Sequence, residues 1–162
     1  MDDAAGRGHL GIVQWLHHNR TEGCTKKAME EAAINGHLHV AEWLAANRKE
    51  GCGYFFLDKA AAANNLACLE WMCEARGQRC TKKAMDHAAA HGNLAMVEYL
   101  QRRFPAVGCT PAALDGACKR GHLRVAEWLH AHRREGGTAK AMDGAAAGGH
   151  LDVVEWLHAH RA

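Results

Sequence analysis

The sequence predicts an all-α protein built from six stacked helix–turn–helix repeats, and three observations support this prediction. Leucines recur every 28 residues, with one interval of 29, at Leu10, Leu38, Leu66, Leu94, Leu123 and Leu151. All five Trp share one register of this repeat. No stretch has the period-two alternation of a strand. A fixed period of this kind is typical of arrays in which neighbouring units share their cores.

A second periodic residue sets the boundaries of the predicted units. Cys24, Cys52, Cys80 and Cys109 recur once per repeat, and Gly137 takes the next place. Cutting after each of them divides a single domain, 1–162, into units 1–24, 25–52, 53–80, 81–109, 110–137 and 138–162. The first and last units are incomplete, and the extra residue falls near Pro105, which indicates a loop.

The first helix of each unit is predicted from its capping residues. Thr25 precedes a helical run and is suited to accept an early backbone N–H, and Thr110-Pro111 places proline at the first helical position. Gly36 can adopt positive φ and therefore closes this helix, which we expect to run to about Asn35.

The second helix is predicted from an apolar stripe that starts at about Leu38 and includes Trp43 and Leu44. A helix pair this short cannot cover its own apolar face, so neighbouring pairs must stack. Alanine pairs such as Ala32-Ala33 allow the close approach that stacking requires.

Composition restricts the classes of function. Charged residues make up 23% and hydrophobic residues 48% of the chain, and the net charge is only +2, so no large positive excess attracts nucleic acid. No apolar run is long enough to span a membrane. The seven Cys are an odd number and most lie far apart, which favours a reducing intracellular compartment, cytoplasmic or nuclear.

The repeat resembles the ankyrin repeat, whose unit carries T-P-L-H-x-A-A-x-x-G-H-L. Ala32-Ala33 and Gly36-His37-Leu38 stand at the matching positions, and residues 153–157 supply the V-V-E-W-L that follows. The resemblance covers the whole chain and implies an ankyrin-like solenoid. It also implies a turn-stabilising hydrogen bond from each histidine of the Gly-His turns, His9, His37, His122 and His150.

This chain departs from the family in two respects. Its unit is shorter than the usual ankyrin length of about 33 residues, and the segment that builds the projecting hairpin is absent. An acidic residue replaces the family histidine, at Glu30, Asp58, Asp86, Asp115 and Asp143. We therefore expect short loops, and we expect the first-helix face to carry more of any contact.

The sequence predicts no enzyme, no cofactor and no metal. One Cys per unit cannot form a zinc site, because stacked helices lie about 8–10 Å apart while thiolates on one zinc lie within about 4–5 Å. His87 and His91 are four apart on one helix and in principle clasp a metal, but no third ligand is evident and a solvated face is favoured. Serine is absent, and no catalytic residue is identified.

The family resemblance implies a protein-binding surface made of first-helix positions that differ between units. These candidate partner-binding residues are Lys26, Lys27, Glu31, Tyr54, Phe55, Lys59, Lys82, Lys83, His87, His91, Lys119 and Arg120. Tyr54 and Phe55 replace lysines of neighbouring units and would suit an acidic partner that supplies an apolar anchor. Alternatively, Phe55 and Phe56 turn inward and fill the space left by a missing cap.

Two further hypotheses stay open at this point. In the first hypothesis, the chain is a spacer segment of a longer array that associates end to end. Its basis is that Met1 stands at the Met29 position and that neither end has a distinct polar cap. Nucleic-acid binding through Lys26-Lys27, Lys82-Lys83 and Lys119-Arg120 is weakened by the acidic residues between them. No membrane partner is expected.

Overall fold

The computed structural model describes residues 1–53, 55–76 and 79–160, so Tyr54 lies outside the described residues. The chain divides into two compact units, Met1–Arg79 (the N-terminal unit) and Cys80–Ala162 (the C-terminal unit). Every regular element in the described part of the chain is a helix, which confirms the predicted all-α class.

The N-terminal unit contains three helix pairs, in which the first helix of each pair packs on the first helix of the next. Its helices are α1 (Asp2–Gly6), α2 (Leu10–Asn19), α3 (Lys26–Ile34), α4 (Leu38–Asn47), α5 (Phe56–Ala62) and α6 (Leu66–Arg76).

The C-terminal unit repeats this arrangement, with α9 packed between α7 and α11. Its helices are α7 (Lys82–Ala90), α8 (Leu94–Arg103), α9 (Pro111–Lys119), α10 (Leu123–His132), α11 (Ala139–Gly148) and α12 (Leu151–His160).

Threonine side chains cap the first helices, as the sequence predicts. The hydroxyls of Thr25, Thr81, Thr110 and Thr138 each accept a hydrogen bond from the backbone N–H two residues on, at 3.1–3.2 Å. Such a cap stabilises a helix by about 1 kcal/mol.

The first helices end where the chain takes positive φ. Gly36 has φ 85°, which confirms its predicted role, and Asn64 takes the equivalent place in the third repeat with φ 54°. Asparagine tolerates this conformation better than other non-glycine residues do. The next residue, Asn65, caps α6 by accepting the Cys68 N–H at 3.0 Å and donates to the Ile34 carbonyl of the preceding repeat at 2.9 Å.

The core follows the repeat register. Met29, Ala32 and Ala33 of α3 are buried, and Cys68 and Cys118, predicted to be small core side chains, are fully buried. Close helix approach is also visible at Gly116, where a Cβ would lie 3.0 Å from the Ala90 Cβ. Glycine therefore allows α9 to lie tight against α7.

A carboxylate clasp joins successive repeats. In the C-terminal unit, Asp86 accepts both the backbone N–H and the hydroxyl of Thr110, each at 2.8 Å. Asp115 does the same for Thr138, at 2.7 and 2.8 Å. The threonine hydroxyl thus donates to the preceding repeat while it accepts from its own helix, and both of its roles are satisfied.

The N-terminal unit contains the same clasp in two chemical forms. Asp2 accepts both the backbone N–H and the hydroxyl of Thr25. Gly53 stands where other repeats have threonine, and there Glu30 accepts the Gly53 N–H at 2.8 Å and the Lys59 ammonium at 2.6 Å. The lysine replaces the missing hydroxyl as the second donor.

Replacing Asp115 with alanine should lower the free energy of unfolding by about 0.5–1.5 kcal/mol, because the amide and hydroxyl of Thr138 lose their acceptor and, being exposed, bind water instead. Urea titration followed by circular dichroism measures the change. Asp143→Ala is the matched control, since Asp143 has the same register on α11 but is exposed and makes no clasp to a described residue. Equal losses in the two variants would contradict the stabilising role of the clasp.

Candidate protein-binding surface

The candidate partner-binding residues that the structure describes are all exposed. The structure places them in two groups, one per unit. The N-terminal group contains Lys26, Lys27 and Glu31 on α3. It also contains Phe55, directly before α5, and Lys59, within α5. The C-terminal group is Lys82, Lys83, His87, His91, Lys119 and Arg120, on or directly after α7 and α9.

The two phenylalanines of the third repeat have opposite environments. Phe56 is fully buried, whereas Phe55 precedes α5 and exposes 64% of its surface. Phe55 makes no side-chain cap bond to the helix that follows. The inward alternative is therefore correct for Phe56 and wrong for Phe55, and Phe55 is an unpartnered aromatic side chain on the first-helix side of the N-terminal unit.

Lys59 differs from the other candidate lysines because it already has an internal partner. Its ammonium lies 2.6 Å from a Glu30 oxygen, and Glu30 is buried. Lys59 therefore adds little positive charge to the surface, and Glu31 beside it is an exposed carboxylate. The first-helix face of the N-terminal unit has mixed charge.

Arg120 also makes an internal contact. Its Nη1 donates to the Ala90 carbonyl at 2.7 Å. The bond satisfies a carbonyl in the last turn of α7 and places a guanidinium on the surface where α7 and α9 both end. A cation near a helix C-terminus is stabilised by the helix dipole.

The histidines of the Gly-His turns contact the preceding repeat. A Cβ on Gly8 would lie 2.6 Å from the His37 Nδ1, and one on Gly92 would lie 2.5 Å from the His122 Nδ1. His9, His37 and His122 make no side-chain cap bond to the helix that they precede. The rings of His37 and His122 therefore pack over a glycine of the preceding repeat, and His122 also forms a hydrogen bond with the Ala90 backbone there. Burial, followed by the nearby Arg120 charge, lowers the pKa of His122.

Comparison with known proteins agrees with this arrangement. A family described as ankyrin repeats (many copies) matches residues 1–45. Residues 1–45 are therefore similar to ankyrin repeats. No curated protein matches it. Ankyrin repeats generally mediate contacts between proteins and are typically not enzymatic, and the later units of this chain repeat the same residue pattern in the same register.

The loops between the repeats are held by arginine–glutamate pairs that the sequence analysis missed. Arg133 donates to Glu135 at 2.6 Å and to Gln101 of the preceding repeat at 2.9 Å, while Glu135 accepts the Cys109 N–H at 3.3 Å. Arg48 pairs with Glu50 in the same way. The Arg-x-Glu spacing, which also occurs at Arg20, was the available signal.

Second-helix histidines interact with tryptophan. The His132 ring stacks on Trp128 at 4.4 Å, and its Nδ1 lies 2.8 Å from the Trp128 carbonyl. His160 and Trp156 repeat this pair with rings 4.9 Å apart. These histidines are exposed, as expected, but they also help to terminate their helices.

Three buried thiols, those of Cys68, Cys109 and Cys118, have the wrong environment for nucleophilic chemistry. Burial raises the pKa of Cys68 to about 12 and the pKa values of Cys109 and Cys118 to about 11, so these thiols stay protonated at neutral pH. The described residues contain no group of three or more His, Cys, Asp or Glu side chains that could hold a metal ion. No helix in the described part of the chain is long and apolar enough to cross a membrane.

We expect Glu135→Gln to lower the free energy of unfolding by about 0.5–1 kcal/mol at pH 7, the range of partly exposed ion pairs. The bond from Arg133 lowers the pKa of Glu135 to about 2. The stabilisation is therefore complete above the ordinary glutamate pKa and is lost as the pH falls toward 2. Urea titrations between pH 7 and pH 2 should show the two proteins converging in acid.

The control for this experiment is Glu22→Gln. Glu22 pairs with Arg20, but both side chains are largely exposed, at 62% and 58%, so water screens the pair. We expect no measurable change in stability. A loss for Glu22→Gln as large as that for Glu135→Gln, or a constant difference for Glu135→Gln down to pH 2, would contradict the assignment.

Proposed function

We propose that this chain is a non-enzymatic, intracellular interaction scaffold that binds a protein partner on the exposed first-helix face. The pattern of burial supports the proposal. Positions that repeat from unit to unit, such as Met29 and Met85, are buried, whereas positions that vary, such as Lys27 and Phe55, are exposed.

The exposure of Phe55 is the observation that carries this proposal. A phenylalanine that is 64% exposed beside a fully buried phenylalanine gains nothing from the core, and aromatic side chains contribute strongly to the centre of interfaces. Phe55 has the register of Lys27 one repeat earlier, so the two belong to the same row of the surface. A partner that offers an apolar pocket with acidic groups at its edge would match this row.

Phe55→Ala should change the free energy of unfolding by less than about 0.5 kcal/mol and weaken partner binding severalfold. Capture of a partner from the source cell, followed by titration calorimetry with that partner, measures the effect. The neighbouring Phe56→Ala is the matched control, and it should cost about 3–5 kcal/mol because it empties a buried site. A large stability loss for Phe55→Ala, or unchanged affinity for the captured partner, would overturn the assignment.

A second candidate function is a structural one, as a spacer segment that associates end to end with a further repeat. Ile12 of α2 is 51% exposed, whereas its register equivalents Val40 and Cys68 are fully buried. Ala146 of α11 is exposed, whereas its equivalent Ala89 is fully buried. These are positions that a neighbouring repeat covers elsewhere in the same unit.

If the structural candidate is correct, the molecular mass from light scattering should rise with protein concentration, because the exposed Ile12 and Trp15 offer apolar area to a second copy. Ile12→Glu combined with Trp15→Glu should abolish the rise without unfolding the chain. A constant monomer mass for the unmodified protein at millimolar concentration would reject this candidate.

A further inference from the structure

The C-terminal unit uses most of the carboxylates of its first helices internally. Asp86 and Asp115 each bind the amide and hydroxyl of the next threonine cap, so both acceptor oxygens are occupied. Of the three carboxylates on α7, α9 and α11, only Asp143 is exposed. The donors of the clasp are neutral, so Asp86 and Asp115 keep their negative charge. They are half-buried, however, whereas the basic residues of this face are exposed.

Basic residues form two rows on this face. Lys82 and Lys83 at the N-terminal end of α7 and Lys140 near the N-terminal end of α11 form the first row. Lys119 and Arg120 at the C-terminal end of α9 form the second, with His91 directly after α7. No ion pair in the described part of the chain involves these lysines.

The positions between the two rows are held by His87 on α7, Gly116 on α9 and Gly144 on α11, so two of the three helices carry no side chain there. Both glycines are half-buried, and a Cβ on Gly116 or Gly144 would lie 3.0 Å from the Cβ of Ala90 or Lys119 on the preceding first helix. The bond from Arg120 to the Ala90 carbonyl shows that the C-terminal ends of α7 and α9 lie together. At 1.5 Å rise per residue, the rows are about 10 Å apart along a helix.

We propose that this face of the C-terminal unit, called here the basic strip, binds an extended acidic segment of a partner protein. The proposal rests on the proposed scaffold function and names the partner chemistry at one part of the surface. An extended chain projects successive side chains to opposite sides, so consecutive glutamates or aspartates reach the two basic rows while the backbone lies over the glycines. Such pairs give affinity that falls with salt.

The N-terminal unit offers an internal comparison. Thr25-Lys26-Lys27 and Thr81-Lys82-Lys83 are the same tripeptide at the same register, with the same threonine cap. Around Lys26 and Lys27, however, Glu31 is exposed and Lys59 is neutralised by Glu30. The neighbours of Lys82 and Lys83 are therefore mainly basic side chains, whereas Lys26 and Lys27 have neighbours of both charges.

The test is fluorescence anisotropy of a fluorescein-labelled deca-glutamate peptide with the full chain at about 50 mM salt. We expect binding that weakens as salt is raised, a loss of about fivefold or more for Lys82→Gln with Lys83→Gln, and a further loss when Lys119→Gln is added. The matched control, Lys26→Gln with Lys27→Gln, removes the same charge and should change affinity less than about twofold. Circular dichroism checks that each variant is folded.

Three results would overturn the proposal. The first is no binding of deca-glutamate, and the second is an equal loss in the two double variants, which would mean attraction by net charge alone. The third is tighter binding of a single-stranded deca-thymidine oligonucleotide than of the peptide, which would point to nucleic acid. If any of these occurs while Phe55→Ala still weakens the captured partner, the scaffold function stands and only the acidic ligand is rejected.

Discussion

The hydrogen-bonded carboxylate between one first helix and the cap of the next is the interaction on which the rest of each unit depends. A threonine cap alone stabilises only its own helix, because its hydroxyl accepts one backbone N–H. A carboxylate of the preceding repeat accepts hydrogen bonds from the same hydroxyl and from the threonine N–H. The start of the helix is thereby fixed to its neighbour. Local capping and packing between repeats are then one network, and such networks stabilise more than isolated bonds do. The apolar register supplies the area for stacking, and the clasp supplies its alignment.

This constraint also decides what the surface can do. Asp86 and Asp115 are half-buried in the clasp, so Asp143 is the one exposed carboxylate on α7, α9 and α11, whereas the lysines of these helices are exposed. In the third repeat the clasp lacks its threonine, and Glu30 recruits Lys59 in its place. A lysine that would otherwise add charge to the N-terminal face is thereby neutralised. The two units carry nearly the same motif and present different electrostatics, which is how a repeat protein varies its partners on a constant scaffold.

Much of the helical architecture could be predicted from the sequence, because it depends on local signals. Thr25 and Gly36 delimit a first helix whose observed bounds differ from expectation by one residue, and the buried register of Met29 and Cys68 follows from the repeat.

The clasp could not be predicted, since the sequence shows that an acidic residue recurs but not that it faces the next cap. The opposite environments of Phe55 and Phe56 follow the repeat register, because Phe55 takes the place of the exposed Lys27 and Phe56 takes the place of the buried Ala28. The family resemblance implies a turn-stabilising hydrogen bond from the Gly-His histidines but does not show that their rings lie over a glycine of the preceding repeat.

Amide hydrogen exchange of Thr110 and Thr138, resolved residue by residue in NMR spectra, tests the clasp most directly. Both amides donate to a carboxylate of the preceding repeat, whereas the neighbouring Ala139 amide, in the first turn of α11, donates no hydrogen bond to the described residues. If the carboxylates hold the repeats together, Thr110 and Thr138 exchange at least about tenfold more slowly than Ala139. Equal exchange rates for the three amides would show that the repeats are held by apolar packing alone.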